Sequence, residues 1–361
     1  MTEELKRARL QSQSQGPTEG SETGFTAESS SIDQYEIMSK DEYSENKTQV
    51  YARMNFLNNF VCLFSTITIL ILFYSSTTSG GGYTNIVNNG LLQSVHDEFN
   101  DRKDVTMKTI TVDKSGKGNF TTVQQAIDSV PDNNLSWLRI HVKAGTYTEK
   151  VYIKYEKQYI FLEGDSSQTT TIAWGDSGDV DKSPTFSSYA DNIVASKITF
   201  KNFYNFAKSK DDYYYGNGKA VTWAPAALIV GDKVSFYSCS FISVQDTLFD
   251  ASGRHYFKYC YIEGAIDFIF GNAQSYYQKC ILNVSTSSLG PGRGGCITAQ
   301  GRESWKQTTG FVFVSNVITG IGPTILGRAY RSHSRVLFYK TYMNNIVSPE
   351  GWNSWYSKGH E

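Results

Sequence analysis

Asp246 and Asp267 stand 21 residues apart, each in a run that is otherwise mostly apolar or small: SVQDTLFD (243–250) and GAIDFIFGNA (264–273). A carboxylate among Ile266, Phe268, Ile269 and Phe270 costs free energy unless it is paired or hydrogen-bonded. Two carboxylates held side by side cannot both ionise cheaply, so one keeps its proton. Identical side chains then supply an acid and a nucleophile or base. Gln245 adds a neutral amide beside Asp246. Arg328, in the run ILGRAYRS (325–332), has the charge and the fork to fix one carboxylate by two hydrogen bonds. The competing structural reading makes both aspartates turn or ladder residues bonded to backbone.

A repeat elsewhere in the chain must position these groups. Six octamers resemble one another: ITFKNFYN, SFYSCSFI, YFKYCYIE, YYQKCILN, VFVSNVIT and LFYKTYMN. Their fifth places hold Asn202, Cys239, Cys260, Cys280, Asn316 and Thr341. The three cysteines are 21 and 20 residues apart. Short strands repeating with a period near 20 predict a parallel β-helix, in which each coil lays its strands on those of the coil before. Asp246 and Asp267 share that period. They should therefore sit on adjacent coils, one strand spacing of about 4.8 Å apart. The cysteines read first as interior ladder residues and second as disulfide partners, with Cys296 apart from the column. Phe268 and Phe270 should point inward, leaving Asp267 to face a groove.

Upstream, GNFTTVQQAIDSVP reads as a turn and a short helix. Thr121 or Thr122 caps it, Val123, Ala126, Ile127 and Val130 form its apolar face, and Pro131 stops it. LRIHVKAGTYTEKVYI and QYIFLEGD read as strands. Residues 1–55 are polar and predict disorder. Residues 56–78 hold an apolar run, read either as a signal-anchor or, with Met54 as start, as a cleavable signal peptide. A linker follows at 79–105, and 106–361 is the β-helix domain. Both readings of the apolar run send that domain into the secretory pathway and leave the membrane to the N-terminal segment alone. Asn119, Asn134 and Asn283 then become glycosylation acceptors.

The formal net charge is −1 and charged residues make up 19% of the 361, so no basic surface argues for nucleic acid. Aromatic residues reach 14%, which suits β-structure and leaves rings for stacking on sugars. The absence of any CxxC pair argues against zinc and thioredoxin-like chemistry.

The segments SVQDTLFD, GAIDFIFGNA, LGRAYR and GTYTE (145–149) together resemble the signature segments of pectin methylesterases, or pectinesterases. GNFTTVQQAIDSVP and the closing GWNSWYS (351–357) are similar to that family's end segments. The likeness runs from about Ile110 to the C-terminus, is most similar to plant cell-wall members, and leaves no room for a fused inhibitor domain. It implies an all-β, right-handed parallel β-helix with a short N-terminal capping helix. It also implies hydrolysis of polygalacturonate methyl esters without metal or other cofactor. By matching positions, Asp267 is the nucleophile, Asp246 the general acid and then base, Gln245 an oxyanion donor, and Arg328 the group that holds Asp267.

Two positions depart from the family pattern. LGRAY replaces LGRPW, so Tyr330 stands for a substrate-stacking tryptophan. Trp223 falls where the family has a second oxyanion glutamine. Tyr330, Trp223 and Tyr215, the last with Tyr213 and Tyr214 in the 208–219 loop, are the substrate-binding candidates. Position 250 is held by Asp250 and receives no such role. The expected partners are methylated pectin and a proteinaceous pectinesterase inhibitor, with the protein secreted to the cell wall and acting as a monomer. Trp223 motivates an alternative, a pectin-binding wall protein of little or no activity. A glycoside hydrolase with paired carboxylates on the same scaffold is the third reading.

Overall fold

Alternation sets the strands. Leu138–Val142 and Arg254–Lys258 bury every second residue, and turns interrupt each run after two to six residues. The computed structural model describes residues 107–207, 221–289 and 293–359. Its strands form three sheets, one of nine strands and two of eight, and the pairings between strands are parallel. Each coil contributes one strand to each sheet. Val234–Tyr237, Ser240–Ile242 and Leu248–Asp250 make one coil. The next begins at Arg254–Lys258, where His255 pairs with Val234. This is the expected right-handed parallel β-helix.

The short helix Val123–Asp128 closes the N-terminal end. Thr122 is its cap, accepting from the Gln125 N–H at 3.3 Å, and Val123, Ala126, Ile127 and Val130 are fully buried. Glu149, from the GTYTE segment, accepts the first two helical N–H groups, of Val123 and Gln124, at 2.9 Å each. That segment is thus a brace for the capping helix.

The interior is built from columns. Phe236, Phe257, Tyr277, Phe313 and Phe338 stack ring on ring over successive coils, with centroids 4.5–5.1 Å apart. The one phenol in this stack meets a partner, since Tyr277 donates to Asp250 Oδ2 at 2.7 Å. Asp250 also pairs with His255, whose Nε2 donates to the Gly231 carbonyl at 2.7 Å. Asp250 is thereby a core residue.

Cys239, Cys260 and Cys280 are buried free thiols in one column, and Cys296, outside that column, is a buried free thiol too. The Cys260 and Cys280 sulfurs each donate to a carbonyl of the coil below at 3.5 Å. Asn316 continues the column, bonding to the Cys280 N–H at 2.6 Å and the Tyr277 carbonyl at 3.0 Å. Asn202 does not belong to it. Thr199 pairs with Ser240, so Ile198 is the residue level with Cys239. The octamer at 198–205 is four residues out of register. Asn202 instead donates to the carbonyls of Asp176 and Pro225.

The N-terminal segments at 1–55, 56–78 and 79–105, and Tyr213, Tyr214 and Tyr215, lie outside the described residues. Among the described residues no helix is long and apolar enough to cross a membrane. Of the glycosylation candidates, Asn134 donates to the carbonyls of Ser136 and Gln158, and Asn283 to Glu263. A glycan on either nitrogen displaces those bonds.

Candidate active site

Gln245 and Ile266 form a parallel bridge between adjacent coils, and the Asp246 N–H donates to the Ile266 carbonyl at 3.0 Å. The backbone therefore fixes Asp246 against the residue that precedes Asp267, as the 21-residue offset predicts. Both aspartates adopt left-handed backbone conformations, with φ of 60° and 47°. Asp tolerates this region better than most residues, at a cost of about 1–3 kcal/mol.

At Asp267 the strain has a visible cause. In Ile266–Gly271, Ile266 pairs with Cys296 but Ile269 pairs with Thr298, so three steps on one strand face two on the other. This is a β-bulge, which inserts one residue and re-aims a side chain. It sends Phe268 and Ile269, consecutive in sequence, into the same core. Phe270, expected to point inward, does not join that core. It stacks on Phe249 at 4.3 Å, on the other face of its sheet.

Arg328, two strands away across Gly295–Gln300, grips Asp267 with both prongs. Its Nε donates to Oδ1 at 2.8 Å and its Nη2 to Oδ2 at 2.5 Å. The Asp267 side chain is 4% exposed and that of Arg328 29%. Burial works against the guanidinium charge, but the hydrogen bonds and charge of Asp267 outweigh it and raise the Arg328 pKa, with Asp246 adding in the same sense. Two donors, one to each oxygen, fix the orientation of the Asp267 carboxyl group. Cys296 lies against the same carboxylate. Burial, then the Asp267 charge, push its thiol well above the ordinary range, so it stays protonated.

The Trp355 ring covers the other side of the guanidinium, 3.8 Å from centroid to Cζ. Trp355 is itself left-handed, at φ 51°, with its N–H bonded to Asn353 Oδ1 at 2.8 Å. Tyr330 lies 6.0 Å from the Trp355 ring, and the Arg331 guanidinium sits over the Tyr330 ring at 4.4 Å. Sequence reasoning placed the GWNSWYS segment but gave Trp355 no role. Its signal was a second tryptophan three residues after the first.

The Gln245 carboxamide lies between two fixed groups. Oriented by those neighbours, its nitrogen donates to the Val221 carbonyl at 3.2 Å and its oxygen accepts from Trp223 Nε1 at 3.3 Å. Trp223 thus faces Gln245 from the preceding coil. The structure brings Asp246, Asp267, Gln245, Arg328, Trp223 and Tyr330 into one neighbourhood.

Such a site has one carboxyl group gripped by a guanidinium, a second on the adjacent coil, an amide beside it in sequence and aromatic rings nearby. That set can do acyl transfer. The family model described as Pectinesterase matches residues 109–360. The Arabidopsis thaliana protein named "Probable pectinesterase 29" is 50% identical over 258 residues, covering 71% of this chain and 76% of its own. The structure of a pectin methylesterase from carrot superposes with a TM-score of 0.63 at 29% identity, over 69% of this chain and 77% of that one. A pectin methylesterase solved in complex with a hexasaccharide gives 0.59 at 25% identity, over 68% and 81%. Fold, motif order and relatives agree: the chain belongs to the pectinesterase family.

Proposed function

We propose that this protein hydrolyses the methyl esters of polygalacturonate, releasing methanol and leaving pectate in the cell wall. The observation that carries the reading is the Arg328 fork on Asp267, one coil from Asp246. Asp267 attacks the ester carbonyl carbon, and the carbonyl oxygen takes the electron pair as an oxyanion. Gln245 donates to that oxyanion. As the tetrahedral species collapses, the C–OCH3 bond breaks and Asp246 gives its proton to the departing methanol. The acyl group is left as an anhydride on Asp267. Asp246, now a base, takes a proton from water, which attacks the acyl carbon. The galacturonate carboxylic acid leaves, and Asp267 and the protonated Asp246 are regenerated. Splitting one hard displacement into two is the gain of a covalent route. Tyr330 and Trp355 add aromatic surface beside Arg328 against which a sugar ring can pack.

Secretion to the wall follows from the substrate, which is an extracellular polymer. The second reading, a pectin binder of little activity, is motivated by Trp223 in place of an oxyanion glutamine. Methanol release by the full chain from highly methylated pectin separates the two. Asp267→Asn keeps a residue that accepts left-handed backbone, so the fold is retained while the rate drops by at least about 10³-fold. Unchanged methanol release from Asp267→Asn removes Asp267 as nucleophile. Pectin binding without methanol release by the wild type establishes the binding protein instead.

A further inference from the structure

We propose that Trp223 is a positioning residue that holds the Gln245 carboxamide with its nitrogen, rather than its oxygen, available to the reacting centre. The inference rests on Gln245 as the oxyanion donor. A primary amide has two ends of opposite character and nearly the same shape, and a half-turn of its last torsion exchanges them. With the oxygen toward the oxyanion, the site repels the charge it must stabilise.

The neighbours of Gln245 discriminate between the two orientations. The indole N–H of Trp223 can only donate, and it lies 3.3 Å from one end of the amide. The carbonyl of Val221 can only accept, and it lies 3.2 Å from the other. One orientation makes both hydrogen bonds. The other sets donor against donor and acceptor against acceptor. In the matched orientation Val221 uses one amide hydrogen, and the second is left for substrate.

The groups that read the amide are themselves fixed. Buried Asn205 brackets the residue between them, accepting from the Thr222 N–H at 3.2 Å and donating to the Thr222 carbonyl at 2.8 Å. The Trp223 carbonyl accepts from Gly178 at 3.0 Å, and the Ala224 N–H donates to the Gln245 carbonyl at 3.3 Å. Ser243 Oγ donates to the Ala224 carbonyl at 2.6 Å. The segment 221–224 is therefore tied to its own coil and to the coils on either side. Tryptophan at 223 supplies a donor aimed at Gln245.

The test removes the N–H and keeps a ring. Trp223→Phe should lower kcat for methanol release about tenfold, part of the 10²–10³ that a whole oxyanion donor is worth, with KM and the thermal midpoint little changed. In a Gln245→Ala background, itself slowed, the same substitution should have no further effect. Wild-type kcat in Trp223→Phe, while Gln245→Ala is slow, overturns the positioning role and leaves the oxyanion role standing. A raised KM with unchanged kcat makes Trp223 a sugar platform and also overturns it. A wild-type rate in Gln245→Ala sinks the oxyanion role, and the positioning role with it. If Trp223→Phe does not fold, benzothienylalanine at 223, which has the shape of tryptophan without the N–H, gives the same readings.

Discussion

Replacing Arg328 by lysine separates the charge of this group from its shape. The guanidinium makes two bonds to Asp267, at 2.8 and 2.5 Å, and lies 3.8 Å under the Trp355 ring. An ammonium keeps the charge but can hold only one oxygen in line, and it stacks less well on the ring. One charge-assisted bond is worth about 1.5–3 kcal/mol, and the stacking about 0.5–2 kcal/mol. Not all of this reaches the rate. As Asp267 attacks, its charge passes to the substrate oxygen, so part of its attraction to Arg328 is lost in wild type and variant alike. What the fork adds beyond charge is orientation of the attacking oxygen. Allotting about 2 kcal/mol to that orientation gives a kcat about 30-fold lower in Arg328→Lys. KM should stay within about twofold, because the side chain contributes orientation more than ground-state binding. Initial rates of methanol release from highly methylated pectin, with Asp267→Asn as the blank, measure this. A kcat within threefold of wild type would refute the claim that geometry, rather than charge alone, prepares the nucleophile.

Two further predictions concern the scaffold. Glu149→Ala removes the acceptor of the Val123 and Gln124 N–H groups. It should cost about 1–3 kcal/mol, seen as a thermal midpoint lower by several degrees, with activity per folded molecule unchanged. Glu163 is set by opposing effects. Burial raises its pKa, but the bonds from Lys197 and Arg139 prevail and hold it below the ordinary 4.5. A depressed carboxyl contributes stability that is fully present above its unfolded value and is lost as pH falls through the folded one. The resistance of the wild type to unfolding by urea should therefore fall progressively below about pH 4.5. Glu163→Gln should flatten part of that loss, and an unaltered pH slope in the variant would rule out this pair of ion contacts as its source.

How much of this was readable before the fold depends on whether a feature repeats. The offset between Asp246 and Asp267 equals the coil period, so their proximity follows from counting. The same logic slipped at Asn202, because an octamer pattern carries no register by itself. The true marker of the corner is the left-handed residue just before the ladder position: Lys197, Ser238, Tyr259, Lys279, Ser315 and Lys340 all have φ between 50° and 58°. None is a glycine, so sequence gave no sign of them. Trp355 was missed for a related reason. It meets Arg328 through a left-handed position just after the short strand Trp352–Asn353, outside the repeated corner. The amide contact between Trp223 and Gln245 depends on side-chain direction, which spacing alone cannot supply. Phe270 was assigned to the wrong face because strict alternation ignores a bulge.

That bulge explains why a carboxylate survives in the middle of GAIDFIFG. In a regular strand, Asp267 and Ile269 share one face, and burying Ile269 buries Asp267 with it. The inserted residue breaks the tie, so Phe268 and Ile269 both enter the core and Asp267 is released toward Arg328. The cost is crowding at both ends of the segment, and glycine meets it. A Cβ on Gly264 would lie 2.2 Å from Phe268 Cβ and 2.7 Å from Thr247 Oγ1. A Cβ on Gly271, where φ is 125°, would lie 2.1 Å from the Asp250 carbonyl oxygen. Neither contact is one that real Cβ atoms make, and the backbone oxygen cannot swing aside as a flexible side chain would. The two glycines, the bulge and the inward phenylalanine therefore form one device, and its product is the direction of a single carboxylate. Thr247 ties that device to Asp246, since its hydroxyl, next in sequence to the acid, donates to the Glu263 carbonyl at 2.8 Å just before Gly264. Asp246 and Asp267 are thus set by one continuous piece of backbone packing.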